Sequence, residues 1–495
     1  MSGKHNMAGV NLEALEDRTL LSGDVTVKFS RGSMTIRGDL LDNQIVLDQA
    51  GLGPAQLRVT GANGTTINGL DQVWVLDGLV KNISIKLSDG NDSLTVNGLA
   101  APGKLSIDLG RGDNTITING GSVVGSLSAK NSTGRGTILL TDLAVTGSAN
   151  LSNSNGTGLS SQVMITGGSV AGSLSAKNGK GSGSISLAGL TVTGKATLSN
   201  SNGAGQSSQI TVSGGTFAGS QLSLSNGSGA GSAEVSNLTV AGNLKIRSSG
   251  GEATASVTSV QVGKALGVYG GTGSDTVTLD TVTVAGRTTI SSGAGDTNIT
   301  VTGCTLDMIK PSAGGKSLQI TSGSGYDTIS VAGTTLGAIL QLAPGYDGST
   351  ITLADLTIGQ QLWVTTYAGR DILTLQHLDV KYRTYLVTGE GNDTVNVDDS
   401  TFGDFFGLAT LGGNDTVQIE CGGDPAGPTS IFKGDANILL GDGDDTLKIG
   451  LTGQSGNTAD FRQLAVFDGG AGTDTFTDAS NNRYVTEPYL YHFEP

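Results

Sequence analysis

Histidine, proline, cysteine and aromatic residues are all scarce in this chain. Its 495 residues include three His, eight Pro and two Cys, and aromatics make up 4%. His5, His377 and His492 have no Ser, Cys or second ligand at a meaningful spacing, which argues against a nucleophilic triad or a histidine-built metal centre. Cys304 and Cys421 are too few for a disulfide framework. No apolar run reaches the roughly 18 residues of a membrane span. No basic start followed by an apolar stretch marks a conventional signal peptide between Met1 and Val25. Positive charge is also in deficit. Lys and Arg total 28 against 43 Asp and Glu, a formal charge of −15. Such a surface repels nucleic acid and attracts divalent cations and basic partners.

Glycine is abundant, at 80 residues, with Ser, Thr, Asn and Asp filling much of the rest. A disordered linker would have this polarity, but 36% of the residues are hydrophobic and they recur on a fixed period. The pattern is Asp-Thr followed by alternating aliphatic residues, as in Asp275-Thr-Val-Thr-Leu279, Asp393-Thr-Val-Asn-Val397 and Asp415-Thr-Val-Gln-Ile419. From Asp327 through Ser349, Asp371 and Asp393 to Asp415 this anchor returns every 22 residues. Aliphatic residues follow each anchor at offsets 2 and 4, 7 and 9, then 13 and 15; after Gly183 these are Ile185, Leu187, Leu190, Val192, Ala196 and Leu198. A spacing of two marks the inner face of a strand, so three pairs per repeat predict three short strands.

The fold expected is all-β: a right-handed parallel β-helix, a three-faced solenoid with about 22 residues per coil and about 18 to 19 coils. At a strand spacing of ~4.8 Å the rod is roughly 90 Å long. In the middle of the chain, Ser152-Asn-Ser-Asn-Gly and Ser199-Asn-Ser-Asn-Gly lie 47 residues apart, a doubled unit of 22 and 25. Longer intervals place loops at 309–315, 424–430 and 453–459. Cys304 and Cys421 fall five coils apart, on the order of 24 Å, which leaves two free thiols. Residues 1–24 read as an export or sorting segment, 25–90 as irregular coils and cap, 91–479 as the repeats and 480–495 as a C-terminal cap or tail.

Five anchors carry the fuller form Gly-x-Gly-x-Asp, ending at Asp275, Asp327, Asp393, Asp445 and Asp474; Asp92, Asn114, Asp371 and Asp415 end near matches. The motif resembles the glycine-aspartate nonapeptide of the RTX calcium-binding β-roll family, although here it appears once per coil and never in tandem. The resemblance implies calcium bound between turn carbonyls and Asp carboxylates, with Asp442, Asp444 and Asp445 densest, then Asp393 and Asp415, and with Asp275, Asp327 and Asp474 as further ligands. The competing reading is an Asx-turn in which each Asp bonds its own backbone, with no ion.

Residues 361–385 concentrate aromatic and basic character. Coil arithmetic points Trp363 and Tyr385 outward in one column that Gln341 continues, beside a column of Gln361, Arg383 and Phe405. This face is a candidate surface for sugar rings or a protein partner, or a stabilising cross-strand pair with no ligand. Residues 12–22 read Leu-Glu-Ala-Leu-Glu-Asp-Arg-Thr-Leu-Leu-Ser, which resembles the Leu-Glu-Asp-Arg-x-Leu-Leu-Ser signature of large exported planctomycete surface proteins. That resemblance implies placement at the cell surface or outside it. The expected function is non-catalytic: a calcium-supported structural protein for adhesion or matrix contact, with extracellular polysaccharide or other surface proteins as partners. The alternative is a carbohydrate-active β-helix, a lyase or hydrolase, or a glycan-binding module using the 361–385 face.

Overall fold

The computed structural model describes residues 23–494 apart from 54, 71–72, 79, 308–314, 423–428, 452–456 and 480. The amino-terminal segment and most of the three expected loops lie outside the described residues. Within them every regular element is a strand, and coil pairs with coil in a parallel β-solenoid of about 18 turns, repeating about every 22 residues.

One coil shows how the residues produce this. Asn114–Asn119, Ser122–Val123 and Leu127–Asn131 are its three strands. Each lies in register on the next coil, Ile116 against Ile138, Val123 against Val145 and Leu127 against Ala149. The strands are unequal. The second is only two residues long, and in Ala230–Val240, Ala253–Val262, Ser349–Ile358 and Asp371–Val380 it fuses with the first. First and second strands therefore share one hydrogen-bonded sheet, and the third strands form the other.

The bend between first and second strands is left-handed, made by paired glycines in some coils, as at Gly120 and Gly121, and by a single residue in others. The single residue is Asp142 at φ 51°, Thr281 and Asp355 at 55°, His377 at 53°, Asp399 at 50° and Glu420 at 55°. Short polar side chains and glycine accept this conformation most readily, which is why the aliphatic period breaks there.

The inward positions fill the core. Ile185, Leu187, Leu190, Val192, Ala196 and Leu198 are all buried. Towards the carboxyl end aromatic rings replace aliphatics, with Phe432 and Phe461 stacked at 4.5 Å and Phe461 and Tyr484 at 5.1 Å. An apolar core this uniform gives no coil a fold of its own; each buries its faces only against its neighbours.

The two ends differ. At the amino end Asp24–Ser30 pairs antiparallel with Ser33–Arg37, and Gln44–Asp48, Gln56–Gly61 and Trp74–Asp77 form an antiparallel meander. Ser33–Arg37 and Gln44–Asp48 then start the parallel stack on Asn82–Lys86 and Ser93–Asn97. At the other end Arg483–Tyr484 and Tyr489–Tyr491 add one more parallel layer, on Ala459–Phe461 and Ala465–Ala471. Both cysteines are unpaired. Among the described residues no helix is long and apolar enough to cross a membrane.

Candidate functional site

The Gly-x-Gly-x-Asp corner joins the third strand of one coil to the first strand of the next. From Gly325 onward its second glycine combines positive φ with a space that a side chain would overfill. Gly413 sits at φ 120°, and a Cβ there would lie 1.9 Å from the carbonyl oxygen of Gly391 in the coil before. Gly391, Gly443 and Gly472 repeat this arrangement.

The aspartates point inward. Asp275, Asp327, Asp393, Asp415, Asp445 and Asp474 are all at most 1% exposed. From Asp371 onward they form a ladder in which each backbone N–H donates to the carboxylate of the following coil: Asp371 to Asp393 at 2.8 Å, Asp393 to Asp415 at 2.8 Å, Asp415 to Asp445 at 2.7 Å and Asp445 to Asp474 at 2.9 Å. Glu494 accepts from Asp474 and closes the series. Asp275 and Asp327 take turn amides instead, Asp275 from Gly271 at 3.3 Å and Asp327 from Gly345 at 2.9 Å. From Asp371 onward the bond is thus between coils, whereas Asp275 also bonds within its own turn.

In the ladder only Oδ1 is used. Oδ2 of Asp371, Asp393, Asp415, Asp445 and Asp474 is buried without a hydrogen-bond partner. Burial accordingly pushes Asp393 up to about 6 and Asp415 and Asp92 up to about 7, and it raises Asp275, Asp371 and Asp445 in the same direction. Asp442 and Asp444 are different, because both are exposed on the turn. Asp444 accepts from the Thr473 N–H at 3.0 Å and donates its own N–H to Asn414 at 3.0 Å, so this outer series runs opposite to the inner one.

Between 131 and 226 a different residue occupies the same interior space. Anchors there are small, such as Gly136, Gly183 and Gly231, and a Cβ on Gly136 would strike Asn153 Oδ1 at 2.3 Å. Asparagines ending the third strands fill the gap. Asn131, Asn153 and Asn178 each donate Nδ2 to the next Oδ1 at 2.9 Å, and Asn200 donates to Asn226 at 3.1 Å. The Ser-Asn-Ser-Asn-Gly repeats were the available sequence signal for this ladder. Asn178→Ala removes the donor to buried Asn200 Oδ1 and is expected to cost about 1–3 kcal/mol, measured as a lower urea midpoint; an unchanged midpoint would show that the ladder adds nothing to stability.

The outward face has the register expected of it. Gln341, Trp363 and Tyr385 are cross-strand neighbours in that order. Trp363 meets Tyr385 edge to face at 6.1 Å, and Tyr385 meets Phe405 at 5.6 Å. Gln361 accepts from the indole N–H of Trp363 at 2.8 Å. Arg383 reaches Asp404 at 3.3 Å and the Tyr385 hydroxyl at 3.4 Å. On the adjoining corner Tyr346 and Tyr367, both exposed, pack at 4.6 Å.

A further group comes together that period and spacing did not single out. At the left-handed bend, His377 stands between Asp355 at 3.2 Å and Asp399 at 3.3 Å. Next to Asp399 are Asp398 and Glu420, and one carboxylate oxygen from each of these three lies within 4.8 Å of the others. Among the described residues this is the single group of three His, Cys, Asp or Glu side chains so placed. Burial holds the Glu420 carboxyl well above the ordinary carboxylate range.

The fold and its corners define a parallel β-solenoid braced by internal polar ladders. Comparison of the chain with protein-family models, curated proteins and solved structures finds no match.

Proposed function

We propose that this chain is a non-catalytic, exported structural protein, an acidic rod of the cell surface or matrix that presents the face around Trp363 and Tyr385 to polysaccharide or to other surface proteins. The observation that carries this reading is the inward orientation of the corner carboxylates. Asp371, Asp393, Asp415, Asp445 and Asp474 are buried and bond from coil to coil, so the acids on which hydrolytic chemistry would draw brace the rod instead. The signature-like segment at residues 12–22 and the charge of −15 support an exterior setting. Calcium support of the rod belongs to the same reading.

The display face is tested by retention on insoluble extracellular polysaccharides and isolated cell envelopes, with release of sugar products assayed on the same samples. Trp363→Ala is expected to weaken retention several-fold, in line with the ~0.5–1.5 kcal/mol of one aromatic contact, and to leave the melting temperature nearly unchanged. Sugar release by the parent protein that disappears on changing Arg383 or Lys381 would overturn the non-catalytic reading in favour of a lyase or hydrolase. Equal retention of parent and variant would remove the face from the proposal.

A further inference from the structure

We infer that Asp398, Asp399 and Glu420 form a binding site for one hard divalent cation of the calcium class, at the bend between first and second strands rather than at the glycine-aspartate corner. Three carboxylate oxygens within 4.8 Å of one another supply the convergence that the corner ladder lacks. The second, independent observation is Glu420. Its side chain is 0% exposed, Oε1 accepts from the Asp399 and Ser430 backbone N–H groups at 3.0 and 2.6 Å, and Oε2 is buried with no hydrogen-bond partner. A fully buried carboxylate oxygen without a donor is costly unless a cation or proton meets it.

The donor set selects the ion. All three ligands are oxygens, which suits calcium or magnesium and not a soft metal. Cys421 lies close by, but its Sγ is turned to the carbonyls of Ile419, Lys448 and Gly450 at 3.5–3.7 Å, and burial raises its thiol. Of the three, Asp398 lines a surface groove of about 310 Å³ together with Gln376, Asn396, Gln418 and Cys421. Amide oxygens and water on that side can complete the six to eight oxygens that calcium takes. His377 Nε2 lies 3.3 Å from Asp399 Oδ2.

The location also gives the ion a purpose. Asp399 follows its anchor Asp393 by six residues, whereas Glu420 follows Asp415 by five, and the next anchor, Asp445, comes 30 residues after Asp415. The regular coil is interrupted after Glu420, and the ion joins the bend that precedes the interruption to the bend of the coil before it. The site is independent of the display function proposed above.

The test is calorimetric titration of the full chain with calcium chloride after chelator treatment, alongside thermal melts. One calcium per chain is expected, with a rise in melting temperature. Asp398→Asn and Glu420→Gln should each weaken binding at least tenfold, while Asp442→Asn and Asp444→Asn should not. Asp398, which is only partly buried, keeps the experiment decisive if Glu420→Gln folds poorly. Absence of calcium heat and of any thermal shift in the parent would overturn the site. So would binding that survives Asp398→Asn and is lost in Asp442→Asn or Asp444→Asn, which would place the ion at the glycine-aspartate corner.

Discussion

Gly413→Ala is expected to destabilise the solenoid by roughly 3–5 kcal/mol, at the severe end for a single substitution. Two effects combine. A backbone at φ 120° is strained for any residue with a Cβ, and that Cβ would sit 1.9 Å from the Gly391 carbonyl oxygen. Moving apart is not a remedy, because the Gly413 N–H donates to Asp442 O at 2.8 Å and the Gly391 N–H to Gly412 O at 2.7 Å. The control is the neighbouring Gly412→Ala. Its nearest obstacle is the end of the Glu390 side chain, which can swing away, so it should cost much less. Urea denaturation of the two variants makes the comparison. Near-equal midpoints would mean that the glycine column is not close-packed. The glycines of Gly-x-Gly-x-Asp thus have a steric reason to be glycine whether or not an ion binds at the turn.

The melting temperature is expected to fall as pH rises from about 5 to about 8 in the absence of added divalent cations. Asp393 and Asp415 titrate in the folded chain at about 6 and about 7, raised chiefly by burial, and Asp92 at about 7. An unfolded Asp titrates near 3.9. Between these values the folded state holds more protons than the unfolded one, so stability is greatest below the unfolded value and is lost as pH climbs through the folded ones. Each unit of separation is worth about 1.4 kcal/mol per group.

Asp415→Asn should flatten this slope and raise stability at pH 8. Asparagine already fills an anchor at Asn114, where Oδ1 accepts from the Asp92 N–H at 2.8 Å and Nδ2 donates to Gly110 O at 3.1 Å. Thermal melts of parent and variant at several pH values provide the check. A parent that grows more stable from pH 5 to 8, or a variant that unfolds at pH 8, would mean that the ladder carboxylates are ionised and compensated.

The solenoid could be read from the chain because its signal is local. An inward position two residues from the next gives the strand, and a return every 22 residues gives the stack. Hence the burial of Ile185 through Leu198 and the outward pairing of Trp363 with Tyr385 follow from counting alone. The direction of the corner aspartates does not. A carboxylate at a strand start is ordinarily at the surface, and the donor that draws Asp415 inward is the N–H of Asp393, 22 residues earlier and meaningful only once the coils are stacked. The Asp398, Asp399 and Glu420 group was hidden for a related reason. Its members stand at different offsets from their anchors, so alignment by period separates residues that the fold brings within 4.8 Å.

The coil-to-coil hydrogen bonds have a mechanical consequence. They run along the length of the rod, so a pull on its two ends loads successive layers in series, and no layer shares its burden with the next. The tensile strength of the molecule is therefore that of its weakest junction. Reinforcing any other junction leaves the breaking force unchanged, whereas a brace at an irregular coil raises the strength of the whole length.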